Sequence, residues 1–201
     1  MFSYIKGSLE EKSSNYVVID VMGIGYKIFM SDSSINSIGE IGEKVKVHTH
    51  YHVREDDISL YGFLTNEELK MFELLLSVSG VGAKSAISML SNISPSEFAV
   101  SIVNNDITKL TKVPGIGKKS AQRIVLELKD KLKAEQELVN NEAIQENEDL
   151  IDIGSDVEEA MSALQILGYN RKEIQKAISQ FDYKSMSIED IIRFGLKYLS
   201  K

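Results

Sequence analysis

The 201-residue chain has no cysteine, no tryptophan and only two prolines. Without cysteine there is no disulfide framework and no thiolate metal site, a composition that fits a reducing cytosol. No run of eighteen apolar residues occurs, so no helical membrane span is expected. The opening Met1-Phe2-Ser3-Tyr4-Ile5-Lys6-Gly7 also lacks the apolar core of a signal peptide. An excess of positive charge is missing too, since the net charge is −7. Taken whole, that argues against a nucleic-acid partner, but the charge is unevenly placed. Residues 1–64 carry 6 basic and 9 acidic groups, residues 65–133 carry 10 and 7, residues 134–154 carry none and 7, and residues 155–201 carry 7 of each. A basic middle is thus masked by an acidic remainder, and charge per segment is what bears on partners. With 43% apolar residues the chain is ordinary globular protein, long enough for one large domain or two to three small ones.

Residues 1–64 read as strands. Asn15 to Val21 is β-branched, Gly25 to Met30 follows a Gly-rich turn, and Lys44 to Val53 alternates. Val45, Val47, Thr49, Tyr51 and Val53 share one face, while Lys44, Lys46, His48, His50 and His52 share a solvated one. The acidic tip Arg54-Glu55-Asp56-Asp57 joins this strand to Ile58–Phe63 as a hairpin. About five short strands predict a small closed barrel of the OB type. From Thr65 the period becomes helical: Thr65-x-x-Glu68 and Ser94-Pro95-x-Glu97 are capping boxes ahead of apolar stripes. Residues 134–154, acidic and without a base, predict a flexible linker, although Leu138 to Ile144 can also extend the preceding helix. Ser155-x-x-Glu158, Asn170-x-x-Glu173 and Ser187-x-x-Asp190 then cap three helices, with Gly168 placed to stop the first. These form a compact three-helix module on a tether.

The most informative feature is a repeat. At an offset of 35, Val78, Gly80, Gly82, Lys84, Ser85 and Ala86 match Val113, Gly115, Gly117, Lys119, Ser120 and Ala121. Paired glycines let the backbone turn tightly and approach a ligand without Cβ obstruction. A helix beginning just after them directs unpaired N–H groups and its positive dipole end at an anion. Lys84, Lys118 and Lys119 add charge, and Arg123 lies one turn on. A Walker A loop would need glycine where Lys112 stands and Ser or Thr at Lys119, and Ser85 and Ser120 occupy the third glycine of a dinucleotide fingerprint. ATP binding is therefore excluded. A single Gly-x-Gly is commonly just a helix–helix turn, but two copies with the same lysine, serine and alanine favour phosphate binding. The pattern resembles the helix-hairpin-helix motif, which grips DNA backbone without reading bases.

Read together with Val53-Arg54-Glu55-Asp56, Leu60-Tyr61-Gly62-Phe63 and Val113-Pro114-Gly115-Ile116-Gly117-Lys118-Lys119, the chain resembles the RuvA family of bacterial Holliday-junction-binding subunits. The likeness spans essentially the whole sequence and is strongest over residues 1–133. Over 155–201 it rests on length, pattern and the turn Leu167-Gly168-Tyr169. It implies an α+β multi-domain protein: an OB-type barrel over 1–64, a tandem helix-hairpin-helix domain over 65–133, a flexible acidic linker over 134–154 and a UBA-like three-helix module over 155–201. It implies a homotetramer, single or doubled face to face, holding an open four-way junction in the bacterial cytoplasm. Backbone binding falls on Ser79, Gly80, Val81, Gly82, Lys84, Gly115, Ile116, Gly117, Lys118, Lys119 and Arg123. The family's acidic pin falls on Glu55 and Asp56, where like charge repels phosphates at the tetramer centre. The module would dock the hexameric ATPase RuvB, with the RuvC resolvase joining the same complex. No catalytic residue, metal or cofactor is implied.

Several features depart from the family pattern or stand outside it. Asp57 adds a third acid to the tip, and Ser79 and Pro114 differ ahead of the glycines, so the hairpins need not grip equally. His48, His50 and His52 alternate on one strand, with neighbours about 7 Å apart, which suits three ligands of one ion poorly. Arg54 is open to three readings: a neighbour of the pin, a salt-bridge partner or a DNA contact. A nuclease or glycosylase would need a second acidic cluster, which is lacking, and a pure protein adaptor leaves the repeated hairpins without a purpose.

Overall fold

A computed structural model of the chain describes residues 2–55, 57–142, 155–183 and 186–199. Its first unit is a closed five-stranded barrel of β1 (Tyr4–Lys12), β2 (Tyr16–Val21), β3 (Ile24–Phe29), β4 (Lys44–Val53) and β5 (Ile58–Phe63), in spatial order β1-β2-β3-β5-β4. All neighbours are antiparallel except β3 and β5. Alternation fills the interior: Leu9, Val17, Ile19, Ile28 and Val47 are fully buried. Not all of 1–64 is strand, however. A short helix α1 (Asp32–Ser37) links β3 to β4, capped where the Ser31 side chain accepts from the Ser34 N–H. Six residues are too few to show a helical stripe among the surrounding strands.

The second unit is helical: α2 (Asn66–Leu76), α3 (Ala83–Asn92), α4 (Pro95–Val103), α5 (Ile107–Thr111) and α6 (Lys118–Glu142). Both expected capping boxes form, at Thr65/Glu68 and Ser94/Glu97. Barrel and helices are not separate bodies, because Tyr61 and Phe63 of β5 share one buried cluster with Met71, Phe72 and Leu75 of α2. This seam corrects the reading of the histidine face as solvated. The first half of β4 alternates as expected, but His48, His50 and His52 are half-buried, while Val53 on the other face is exposed. The His50 ring lies 5.3 Å from that of Phe72, and its Nδ1 is 3.1 Å from Glu73 Oε1. His52 packs edge-on to Tyr61. An alternating strand shows which residues share a face, not which neighbour later covers it. Helix α6 continues through Glu142, so the helical alternative for the start of the acidic segment is the one observed. Residues 143–154 of the expected linker lie outside the described residues.

The third unit comprises α7 (Ser155–Ile166), α8 (Arg171–Ile178) and α9 (Ile188–Leu199). Asn170/Glu173 form a capping box, and Ser187 Oγ accepts from the Asp190 N–H. The side chain of Ser155, expected as a cap, lies outside the described residues. Rather than standing free, the module packs on α4: Ala99, Val100 and Val103 join Val157, Met161 and Leu164 in one cluster. The Tyr169 hydroxyl donates to buried Glu67 at 2.9 Å, and the Lys70 ammonium lies 3.4 Å from the Tyr169 ring centroid. Burial, with the Glu67 carboxylate beside it, holds the Tyr169 phenol well above its ordinary range. Desolvation likewise lowers Lys70. None of the described helices is long and apolar enough to cross a membrane.

Candidate nucleic-acid interface

The two repeats fold into matching loops. Val78 and Val113 close the preceding helices, their N–H groups donating to Leu75 and Leu110 carbonyls at 3.1 and 3.2 Å. Val81 and Ile116 N–H groups then bond back to Val78 and Val113, both at 3.1 Å. Each turn requires a left-handed glycine, Gly80 at φ +83° and Gly115 at φ +85°. The new helices open with Ala86 N–H to Gly82 C=O and Ala121 N–H to Gly117 C=O, at 3.0 and 2.9 Å. Every one of these bonds recurs at the offset of 35, so the repeat is a structural pseudo-symmetry as well as a sequence one.

Burial divides the repeated residues by task. Val78, Val81, Ala86, Val113, Ile116 and Ala121 belong to the common core. Gly80, Gly82, Lys84, Gly115, Gly117, Lys118 and Lys119 are exposed. Gly82 caps α3 without any side-chain bond, so the first N–H groups of that helix keep no side-chain acceptor. Among the residues expected to bind backbone, Val81 and Ile116 therefore shape the loops, with N–H groups already committed. The glycines and lysines form the open rim. That rim can hold an anion by N–H donation, helix dipole and ammonium charge together. No base edge could be selected by such a set.

Ser79 and Arg123 are placed differently from a simple rim. The Ser79 N–H donates to Glu127 Oε2 at 3.0 Å, and its carbonyl accepts from Arg123 Nη1 at 3.3 Å. Sequence reading missed Glu127 altogether. The signal that could have found it is the i, i+4 spacing of Arg123 and Glu127 on one edge of α6.

At the β4–β5 tip, Glu55 is exposed and Asp56 lies outside the described residues. Asp57 is less free than a third pin acid would be: its carbonyl accepts the Arg54 N–H at 2.8 Å, and its carboxylate accepts from Ser59 Oγ at 2.6 Å. The tip is thus closed by its own backbone, with Glu55 directed outward. Among the described residues no group of three His, Asp or Glu side chains could hold a metal ion.

The comparisons agree with this layout. A family model described as the RuvA N terminal domain matches residues 1–62, a SAM-like helix-hairpin-helix tandem matches residues 72–130, and the RuvA C-terminal domain matches residues 155–200. The chain is 52% identical over 202 residues to the Holliday junction branch migration complex subunit RuvA of Acetivibrio thermocellus, with all of both chains covered. To the protein of that name from Ruminiclostridium cellulolyticum it is 48% identical over 199 residues, covering 99% of this chain and all of the relative. To that of Clostridium perfringens it is 47% identical over 203 residues, again end to end.

Proposed function

The chain belongs to the RuvA family, and from that premise we propose that it binds four-way junction DNA as a four-fold tetramer and recruits a separate motor for branch migration. The observation that carries this reading is the pseudo-symmetric pair of exposed glycine hairpins with their lysines. Two equivalent anion sites on one rigid core suit two phosphates along one duplex arm. Such contacts position a protein without sequence preference. Four subunits then give one grip per arm. The Glu55 tips, with Asp56, meet at the centre, where their charge disfavours a continuous duplex and keeps the exchanging strands apart. The protein contributes no chemistry of its own: ATP hydrolysis falls to the RuvB hexamer, docked through residues 155–201, with RuvC acting on the same junction in the bacterial cytoplasm. One tetramer or two opposed ones can enclose the DNA, and a native mass spectrum with junction bound counts them.

The test compares a four-way junction with linear duplex of the same length, in low salt without magnesium. Binding should be tighter to the junction by orders of magnitude; equal affinity for both rejects the reading. Removing residues 155–201 should leave junction binding in place and abolish ATP-driven migration with the motor present. Migration that persists without them rejects the docking role.

A further inference from the structure

The pseudo-symmetry fails at one position, and the failure is informative. At the offset of 35, Ser79 corresponds to Pro114. Proline has no backbone N–H, so the second hairpin offers no donor at this point. Serine has one, and in the first hairpin that N–H is taken up by Glu127 Oε2 at 3.0 Å. The carbonyls of the same two residues are also matched. Ser79 C=O accepts from Arg123 Nη1 at 3.3 Å, and Pro114 C=O accepts from Ser88 Oγ at 3.1 Å, where Ser88 and Arg123 again stand 35 apart. Each hairpin is therefore tied at its carbonyl by the helix that follows the other hairpin.

Helix α6 goes further than α3 does. Arg123, Glu127 and Lys131 lie one turn apart on a single edge. Arg123 Nε is 3.8 Å from Glu127 Oε1, and the Lys131 ammonium reaches the carbonyl and hydroxyl of Ser77. Three side chains from the helix that begins at hairpin two thus fasten residues 77–79 of hairpin one. A carboxylate beside an anion site is costly for binding phosphate. Its presence needs a compensating role, and the Arg123 guanidinium beside it offsets part of the repulsion.

We propose that Glu127 is a positioning residue for DNA binding: it takes up the Ser79 N–H and fixes the first loop, so that both hairpins present the same donors at one fixed separation. This rests on the phosphate-gripping role proposed above for the hairpins, and it adds the residue that makes two unequal sequences act as equal grips. In the second hairpin proline supplies by covalent structure what Glu127 supplies in the first by a charge-assisted hydrogen bond.

The experiment measures affinity for linear duplex at low salt for the full-length chain and three variants. Duplex is chosen so that the outcome does not depend on junction selectivity. A wild type lacking that selectivity would defeat the proposed function, while the variant series would still report on Glu127. Glu127→Ala removes a negative charge near the DNA, so electrostatics alone predicts tighter binding. Positioning predicts the opposite, a loss of about tenfold. Glu127→Gln keeps an acceptor for the Ser79 N–H and should bind at least as well as wild type. The double change Ser79→Pro with Glu127→Ala removes the donor as Pro114 does, and should recover most of the lost affinity. Tighter binding by Glu127→Ala overturns the proposal, as does an equal loss in Glu127→Gln or a double variant no better than Glu127→Ala. Urea midpoints of the same variants report folding directly, so an affinity loss with an unchanged midpoint separates positioning from stability.

Discussion

Lys119→Gln offers a way to count grips. Lys119 is exposed at the start of α6, beside Gly117, and makes no ion pair among the described residues. Glutamine has a similar helix propensity, so the helix start is disturbed little. Each phosphate contact that a cation makes on duplex DNA contributes about 0.9 to the slope of log affinity against log salt. If four equivalent subunits each hold one arm, the substitution removes four contacts, and the slope for the junction should flatten by about 3.6. Between 50 and 200 mM salt this amounts to a change of roughly a hundredfold in how much affinity is lost. On a linear duplex held by one subunit the slope should flatten by only about 0.9. Fluorescence anisotropy with labelled junction and duplex, titrated at four or five salt concentrations, gives both slopes. A change near 0.9 on the junction would refute four-fold engagement, and no change on either DNA would remove Lys119 from the interface.

Replacing Glu55 and Asp56 by Gln and Asn should raise duplex affinity more than junction affinity in the same assay; an unchanged ratio removes the pin from the account of selectivity. Tyr169→Phe deletes the hydroxyl that donates to buried Glu67 at 2.9 Å, leaving that carboxylate one donor short. The expected cost is about 1–3 kcal/mol, seen as faster hydrogen exchange in α7 and α8, and unaltered exchange would show that the packing on α4 is independent of this bond. His48 is held below its ordinary value of 6.5 by desolvation first and by the Lys46 charge second. The unfolded chain therefore binds the extra proton first, so this contribution to stability is complete above pH 6.5 and is lost as pH falls through the lower folded value. His48→Gln should flatten the acid limb of a urea-midpoint profile relative to wild type, and parallel profiles would reject the assignment.

What could be read from the sequence was whatever is decided within a few residues. The bounds of β4 and β5, the boxes at Thr65 and Ser94, and the twin hairpins all follow from local period, caps and glycine geometry. What could not be read is decided by contacts between distant segments. The histidine row became a seam because α2 lies over it, bringing Phe72 and Glu73 to His50. Helix α4 carries a second apolar face in Ala99, Val100 and Val103, and only the arrival of α7 shows what it is for. Glu127 sat in plain view as an ordinary helical acid, 48 residues from the serine whose N–H it holds.

The salt argument also bears on where selectivity comes from. On the proposed reading a junction engages more cations than a duplex, so its affinity must fall faster as salt rises. Repulsion by the Glu55 tips is screened by the same ions, with a Debye length of about 10 Å at 0.1 M. Both electrostatic sources of discrimination therefore weaken together. What salt leaves intact is geometry: two loops of matched conformation, each tied at its carbonyl by the helix that follows the other. A rigid spacing lowers the ordering entropy lost on binding, and four such units held in one assembly bind as linked sites rather than as separate ones. On the proposed reading, discrimination between junction and duplex at physiological salt then rests mainly on four rigid grips linked in one assembly, where a linear duplex meets one. Variants that loosen the first hairpin should accordingly lose more selectivity at 150 mM salt than at 20 mM, whereas variants that only remove charge should show the reverse.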